Sequence, residues 1–444
     1  MKRYSEYKDS GVKWIGEIPE HWKIAPFGRH FSYGKGLPIT KADLQSEGTP
    51  VISYGQIHSK KNTGTKIDEN LIRYVHPSYI DTNPQSLLKE NDFIFADTSE
   101  DIEGCGNCAY NDINGNIFAG YHTVIARPQN ILFPKYYAYL FQSKNWKTQI
   151  QTLVNGVKVY SINRGILKQS ILLIPQKDEQ EAIVTYLDTK VAKIDEYISI
   201  AEKKIAALEE LKQTIIAEAV TRGIHKDVPM KDSGVKWIGM IPEHWKMNSL
   251  RSYVKLYSEK NHPEKQLLSV TREMGVIVRN TESKEENHNF IPDDLSGYKL
   301  VRKGDFVINK MKSWQGSYGV SKYEGIVSPA YYVCKLKFPY NDFFSIAIRC
   351  KSYVPFFTQY SKGIRVDQWD LSPIALKNIP FMEPPITEQQ EIVTYIEAKA
   401  AKIDQLCQAE RSQIEKLKEY KQRLISDVVT GKVKVTNNSL NGRV

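Results

Sequence analysis

Two long stretches of the chain place apolar residues at alternating steps of four and three. In the first, Leu187, Val191, Ile194, Ile198, Ala201, Ile205, Leu208, Ile215 and Ala219 keep the rhythm, and Lys212 is its charged exception. In the second, Ile396, Ala400, Ile403, Cys407, Ile414, Leu417, Leu424 and Val428 keep it, with Glu410 and Lys421 as exceptions. A mean spacing of 3.5 is a heptad seam, the mark of helices that pack along their length. Neither proline nor glycine interrupts residues 178–222. A helix of about 45 residues would be about 67 Å long at 1.5 Å per residue. Each stretch ends at a glycine, Gly223 and Gly431, a common helix stop. Two matching seams in one chain most simply pack on each other, and an antiparallel coiled coil with pseudo-two-fold symmetry is expected. Lys212 and Lys421 read as side chains that lay their stems on the seam and reach solvent.

The segments before each helix have a different pattern. Short apolar runs at 93–95, 123–126, 171–174, 306–308 and 331–336 read as strands, and 134–147 and 342–353 as helices. These segments belong to an internal repeat. Asp9-Ser-Gly-Val-Lys-Trp-Ile-Gly16 recurs letter for letter from Asp232, and Ile18-Pro-Glu-His-Trp-Lys23 from Ile241, both 223 residues on. Downstream, Ile183-Val-Thr-Tyr186 recurs from Ile392 and Lys193-Ile-Asp195 from Lys402, both 209 residues on. The first module is therefore 14 residues longer between these markers (223 − 209). Asn91-Asp-Phe-Ile-Phe95 aligns with Gly304-Asp-Phe-Val-Ile308, and Gly120-Tyr-His122 is placed in the slot of Pro329-Ala-Tyr331. The flanks match and the interiors hardly do, so two like frames hold two unlike inserts. The Trp and His of the repeated opening read as structural anchors, because no converging chemistry accompanies His21 or His244.

Charge adds a partner to this picture. Lys and Arg outnumber Asp and Glu by 61 to 51, a surplus that suits a polyanion. No apolar run is long enough to span a bilayer, and the opening residues lack the apolar stretch of a secretory signal. A cytoplasmic location is expected. Cys105 and Cys108 form a C-x-x-C without the second ligand pair that zinc requires, so no metal site is expected and both read as reduced thiols. Cys334, Cys350 and Cys407 sit in apolar patterns and read as core residues. Phosphate-loop, nucleotide-fold, amino-methyltransferase and nuclease motifs are all missing, which points to a binding protein with no catalytic residues.

Candidate DNA contacts lie where the modules differ. In the first they are Thr98, Ser99, His122, Lys158, Tyr160, Asn163 and Arg164. In the second they are Lys310, Lys312, Ser313, Trp314, Gln315, Ser317, Tyr331, Arg365 and Gln368. Lysine and arginine supply phosphate donors, and Ser, Gln and Asn supply groups that hydrogen-bond base edges. Two other classes of function compete: a methyltransferase or nuclease with an unfamiliar site, and a coiled-coil scaffold that binds only protein.

The layout resembles the specificity subunit of Type I restriction-modification systems over nearly the whole chain. Its carriers are Lys13-Trp-Ile-Gly-Glu-Ile-Pro-Glu-His-Trp22 and the copy at 236–245, Lys303-Gly-Asp-Phe-Val-Ile-Asn-Lys-Met-Lys312, Gly325-Ile-Val-Ser-Pro-Ala-Tyr-Tyr332, and the Pro-x-x-x-Glu-Gln motifs from Pro175 and Pro384. The resemblance implies an α+β chain divided into a first target-recognition domain (1–177), a first spacer helix (178–225), a second recognition domain (226–386), a second spacer helix (387–434) and a flexible tail (435–444). It implies a non-catalytic subunit that reads a bipartite site in double-stranded DNA, one half per domain. Two modification subunits and two restriction subunits are the implied protein partners. S-adenosylmethionine, ATP and magnesium are expected on those partners and no cofactor on this chain.

Overall fold

The structure is a computed structural model that describes residues 3–156, 159–280, 291–363 and 369–435. The chain forms two compact units. One comprises Met1–Ala201 with Ser412–Val444, and the other Glu202–Arg411. Each unit holds one module and a part of both long helices, which run Lys177–Arg222 and Ile386–Val429. Among the described residues no helix is long and apolar enough to cross a membrane.

The first module is built on a four-stranded antiparallel sheet. Its order is Phe31–Lys35, Thr123–Pro128, Phe93–Ala96, Cys108–Tyr110. The second module repeats that order with Val254–Tyr257, Tyr331–Leu336, Phe306–Asn309, Tyr318–Val320. In each, the strand after the repeated opening pairs with the last strand before the long helix: Lys23–Pro26 with Ile171–Ile174, and Lys246–Ser249 with Pro380–Glu383. The module is thus closed by joining its two ends. The register corrects one alignment. Thr123 lies opposite Ala96, and Tyr331 opposite Asn309. Thr123, not His122, therefore corresponds to Tyr331, because the ladder counts residues from the shared Asp-Phe of the central strand. Asn91 and Gly304 do correspond, with φ of +72° and +92°. Asparagine is among the few side chains that tolerate this left-handed turn.

The helix expected over 134–147 is instead two, and the one expected over 342–353 ends early and is followed by a second. Residues Pro134–Gln142 and Lys144–Leu153 break at Ser143, which is extended and accepts a hydrogen bond from the Trp146 amide through its hydroxyl. Residues Asn341–Arg349 and Val354–Tyr360 break after Cys350, also extended, with Pro355 in the first turn of the second helix. The breaks fold the second helix onto the core, where Trp146 and Phe357 are fully buried.

The Trp residues expected as anchors have a defined partner. Trp22 is fully buried, and its Nε1 donates to Glu179 Oε2 at 3.1 Å; His21 Nε2 meets the same oxygen at 2.8 Å. In the second copy Trp245 Nε1 donates to Glu388 Oε2 at 2.8 Å and His244 bonds Oε1. Gln180 and Gln389 donate back to Pro175 O and Pro384 O at 2.9 and 2.8 Å. The opening motif and the Pro-x-x-x-Glu-Gln motif thus form one latch between module and helix.

The seam is apolar and buried at Leu187, Val191 and Ile194, which cluster with Leu424 and Val428 in the first unit. In the second unit Ala219 and Val220 cluster with Ile392, Val393 and Ile396. The polar seam positions are not left to solvent. Lys421 Nζ bonds both oxygens of Asp195 at 2.7 and 2.8 Å. Lys212 Nζ bonds both oxygens of Asp404 at 2.8 and 2.7 Å. Glu410 takes Lys204. As the first helix advances from Lys204 to Lys212, its partners recede from Glu410 to Asp404, so the helices run antiparallel there.

Candidate nucleic-acid interface

In the first module three segments meet at the end of the central strand. Asp97 and Thr98 follow Phe93–Ala96, His122 precedes Thr123–Pro128, and a two-residue strand, Tyr160–Ser161, pairs with Thr98–Ser99. The Ile162 amide donates to Asp97 O at 2.8 Å. Asn163 then caps the helix Arg164–Gln169 by accepting from the Ile166 amide at 3.0 Å. The segments enclose an open cleft of about 440 Å³ lined by Lys35, Asp97, Thr98, His122, Asn163 and Arg164. Four of the expected contacts, Thr98, His122, Asn163 and Arg164, therefore converge.

The geometry inside this cleft is held from behind. His122 has φ of +54°, and its Nδ1 lies 3.3 Å from Asp97 Oδ1, to which Thr98 Oγ1 also donates at 2.7 Å. A histidine held left-handed is a costly conformation that its neighbours must stabilise. Deeper in, Lys147 Nζ donates to Asn107 Oδ1 at 2.7 Å and Asn107 Nδ2 donates to His58 Nδ1 at 3.2 Å; His58 Nε2 then donates to Thr98 O at 2.8 Å. Burial holds the Lys147 ammonium below the usual lysine range. Sequence reading missed Asp97, His58, Asn107 and Lys147. Only the adjacency of Asp97 to Thr98 hinted at any of them.

The second module keeps the carbonyl contact of this corner and changes its strand partner and side chains. The Leu371 amide donates to Lys310 O at 3.1 Å, the counterpart of Ile162 and Asp97. Ser361–Lys362 pairs with Asp370–Leu371, and Ser372, 209 residues beyond Asn163, caps Pro373–Asn378. Lys310 Nζ lies 3.5 Å from Asp370 Oδ2. The rings of Trp314 and Trp369 meet at 5.0 Å. Lys312 is exposed on the intervening loop and Tyr331 begins the neighbouring strand.

Several expected contacts have other positions. Ser99, Ser313 and Ser317 are buried, at 2%, 0% and 4% exposure. The hydroxyls of Ser99 and Ser313 bond Asp101 O and Lys310 O, so they brace the loops instead of facing a ligand. Tyr160 is half-buried against the core. Gln315 turns away from the corner and lines a separate cleft of about 890 Å³ with Arg272 and Arg349. The left-handed Gly316 ends the short turn Ser313–Gln315 that carries it. Lys158, Arg365 and Gln368 lie outside the described residues.

Comparison with known proteins shows what this duplicated frame is similar to. Residues 19–210 match the model of the Type I restriction modification DNA specificity domain. A Methanocaldococcus jannaschii protein assigned as the MjaX specificity subunit of a type I restriction enzyme is 24% identical, covering 97% of this chain and 98% of its own length. The StySPI specificity subunit of Salmonella potsdam is 21% identical, covering 94% and 90%. A solved chain from a study of assembly and conformational transition of the type I R-M system superposes with a TM-score of 0.65 at 15% identity, covering 94% of this chain and 99% of that one. Over residues 19–210 the chain matches this specificity domain, and over nearly its whole length it is similar to specificity subunits of type I restriction enzymes. A specificity subunit is the non-catalytic component of its system. Among the described residues no three or more His, Cys, Asp or Glu gather as metal ligands. The buried thiols Cys105 and Cys108 are free, and burial pushes them up to about 11 and about 12.

Proposed function

We propose that this specificity subunit reads a split site in double-stranded DNA, one half per module, and that its paired helices dock two modification and two restriction subunits. S-adenosylmethionine, ATP and magnesium then belong to those partners, and the assembly works in the cytoplasm. The observation that carries the reading is the shared corner. In both modules the segment before the last short helix bonds the carbonyl at the end of the central strand, while its strand partner and the side chains around it differ. A frame that fixes the backbone and varies the side chains suits recognition of two different half-sites. The matching latches and seam pairs suit two copies of one partner.

Methylome sequencing of a host that expresses the chain with its partners tests the reading. A two-part methylated motif is expected. Exchanging residues 230–385 for those of a relative should change one half of that motif only. If both halves change, or neither does, modular reading fails. Lengthening both helices by whole turns should alter the gap between halves and leave their sequences alone.

A further inference from the structure

Lys299 lies on the short strand Lys299–Val301, which pairs with Gly325–Val327 in the second module. Its Nζ donates to Tyr331 O at 2.7 Å. Tyr331 is opposite Asn309 in the central ladder, so this ammonium lies beside the strand end from which Lys310 projects. The Leu300 amide donates to Glu259 O at 2.8 Å, which sets the exposed Lys260 on the segment beside Lys299; burial first, then the charges of Lys260 and Lys310, hold the Lys299 ammonium below the usual lysine range. The nearby acids are engaged. Glu259 binds Arg302 at 2.8 Å and His262 at 3.2 Å, and Asp305 takes the Arg302 amide and the Tyr257 hydroxyl. Among the described residues only Asp370 forms an ion pair with Lys310, at 3.5 Å, with both side chains partly in solvent. Gathering like charges raises the energy of the unliganded state, and an anion relieves it.

We infer that Lys260, Lys299 and Lys310 form a clamp for the phosphodiester backbone of duplex DNA, present in the second module and absent from the first. Counting back from the shared aspartates, Asp92 and Asp305, Lys299 corresponds to Ser86, which is buried, and Lys310 corresponds to Asp97. The first module's corner thus has a carboxylate where the second has an ammonium. The clamp rests on the proposal that the modules read DNA. It adds that sequence-independent anchoring falls mainly on the second module.

The test is the salt dependence of binding by the full chain assembled with its modification subunits. Two duplexes serve as probes, one with the methylated motif and one without it. Each phosphate contact contributes about 0.9 to the slope of log affinity against log salt. Lys299→Gln keeps a donor for Tyr331 O and removes the charge; it should lower the slope by about one on both duplexes. Lys260→Gln with Lys299→Gln should lower it by about two, and Lys299→Arg should preserve it. Between 50 and 200 mM salt, one lost contact corresponds to about three- to fourfold less salt-induced weakening. An unchanged slope in the double variant overturns the clamp while leaving DNA reading intact. So does weaker binding at unchanged slope that Lys299→Arg fails to restore, which would mark a purely structural lysine. An assembled complex that binds neither duplex overturns the DNA reading itself.

Discussion

Asp97 and Lys310 occupy one position in two modules and carry opposite charges. In both, the main-chain carbonyl holds the structure together, accepting from Ile162 in one and from Leu371 in the other. Because the backbone holds the frame, the side chain at this position is free to reverse sign. In the first module it organises His122 and Thr98 within a cleft that also contains Asn163. In the second it belongs to a basic and aromatic surface with Trp314 and Trp369. The two copies share this main-chain contact and differ in the side chains around it, which is what separates a scaffold from its specificity.

The two frames break most readily at the latches. Trp22→Ala and Trp245→Ala each empty a fully buried site and remove a bond to the helix glutamate. Each should cost about 3–5 kcal/mol. Denaturant unfolding should show Trp22→Ala weakening the first unit and Trp245→Ala the second. If both variants shift one common transition equally, the two frames are not separate folding units. A smaller asymmetry lies at the shared aspartates. Asp92 is fully buried and held by Arg127 through two guanidinium nitrogens, at 3.0 and 2.7 Å. Asp305 is held by the neutral Tyr257 hydroxyl. Arg127→Met should therefore cost about 2 kcal/mol, reduced from a fully buried pair because Arg127 is partly exposed. Tyr257→Phe should cost about 1 kcal/mol. Equal losses by thermal unfolding would show that the two aspartates are held alike. At the turn before them, Gly304→Ala should cost about 1 kcal/mol for its left-handed φ. Gly304→Asn, copying Asn91, should cost half that or less, since only Asn341 Nδ2 comes within 4 Å of a new Cβ.

How much of this was legible in the chain depends on the range of each contact. The helix seam is a local period, and Leu187 to Val191 to Ile194 could be read without knowing any partner. The turn at Asn91 and Gly304 was legible because two copies could be laid side by side. The latch was half visible: His-Trp and Glu-Gln recur together in both copies, yet nothing in one sequence says that Trp22 reaches Glu179 across 157 residues. The contact loops were the least legible. Ser99 and Thr98 are adjacent polar residues, but strand pairing buries one and opens the other. Hydroxyl groups suit a ligand and a neighbouring carbonyl equally well, so composition cannot separate these roles. The part-buried chain from Lys147 through Asn107 and His58 to Thr98 joins four separate segments and left no local mark.

The smallest effect concerns the charged seam positions. Lys421–Asp195 and Lys212–Asp404 are the same pair taken twice, since Lys421 lies 209 residues beyond Lys212 and Asp404 the same distance beyond Asp195. All four side chains are partly exposed, so each pair should stabilise by less than about 1 kcal/mol. The Lys421 pair, whose aspartate is 44% exposed against 62% for Asp404, should be the stronger. A double-mutant cycle on Lys421→Ala and Asp195→Ala should give a coupling above that of the Lys212 and Asp404 cycle. Both couplings should fade in high salt, where exposed charges are screened. A coupling of several kcal/mol that survives salt would contradict this. The pairs also discriminate between arrangements. In a parallel, in-register pairing the repeat would set Lys212 beside Lys421 and Asp195 beside Asp404. The same four residues therefore attract in the antiparallel arrangement and repel in the parallel one. Their effect on helix direction should exceed their effect on stability.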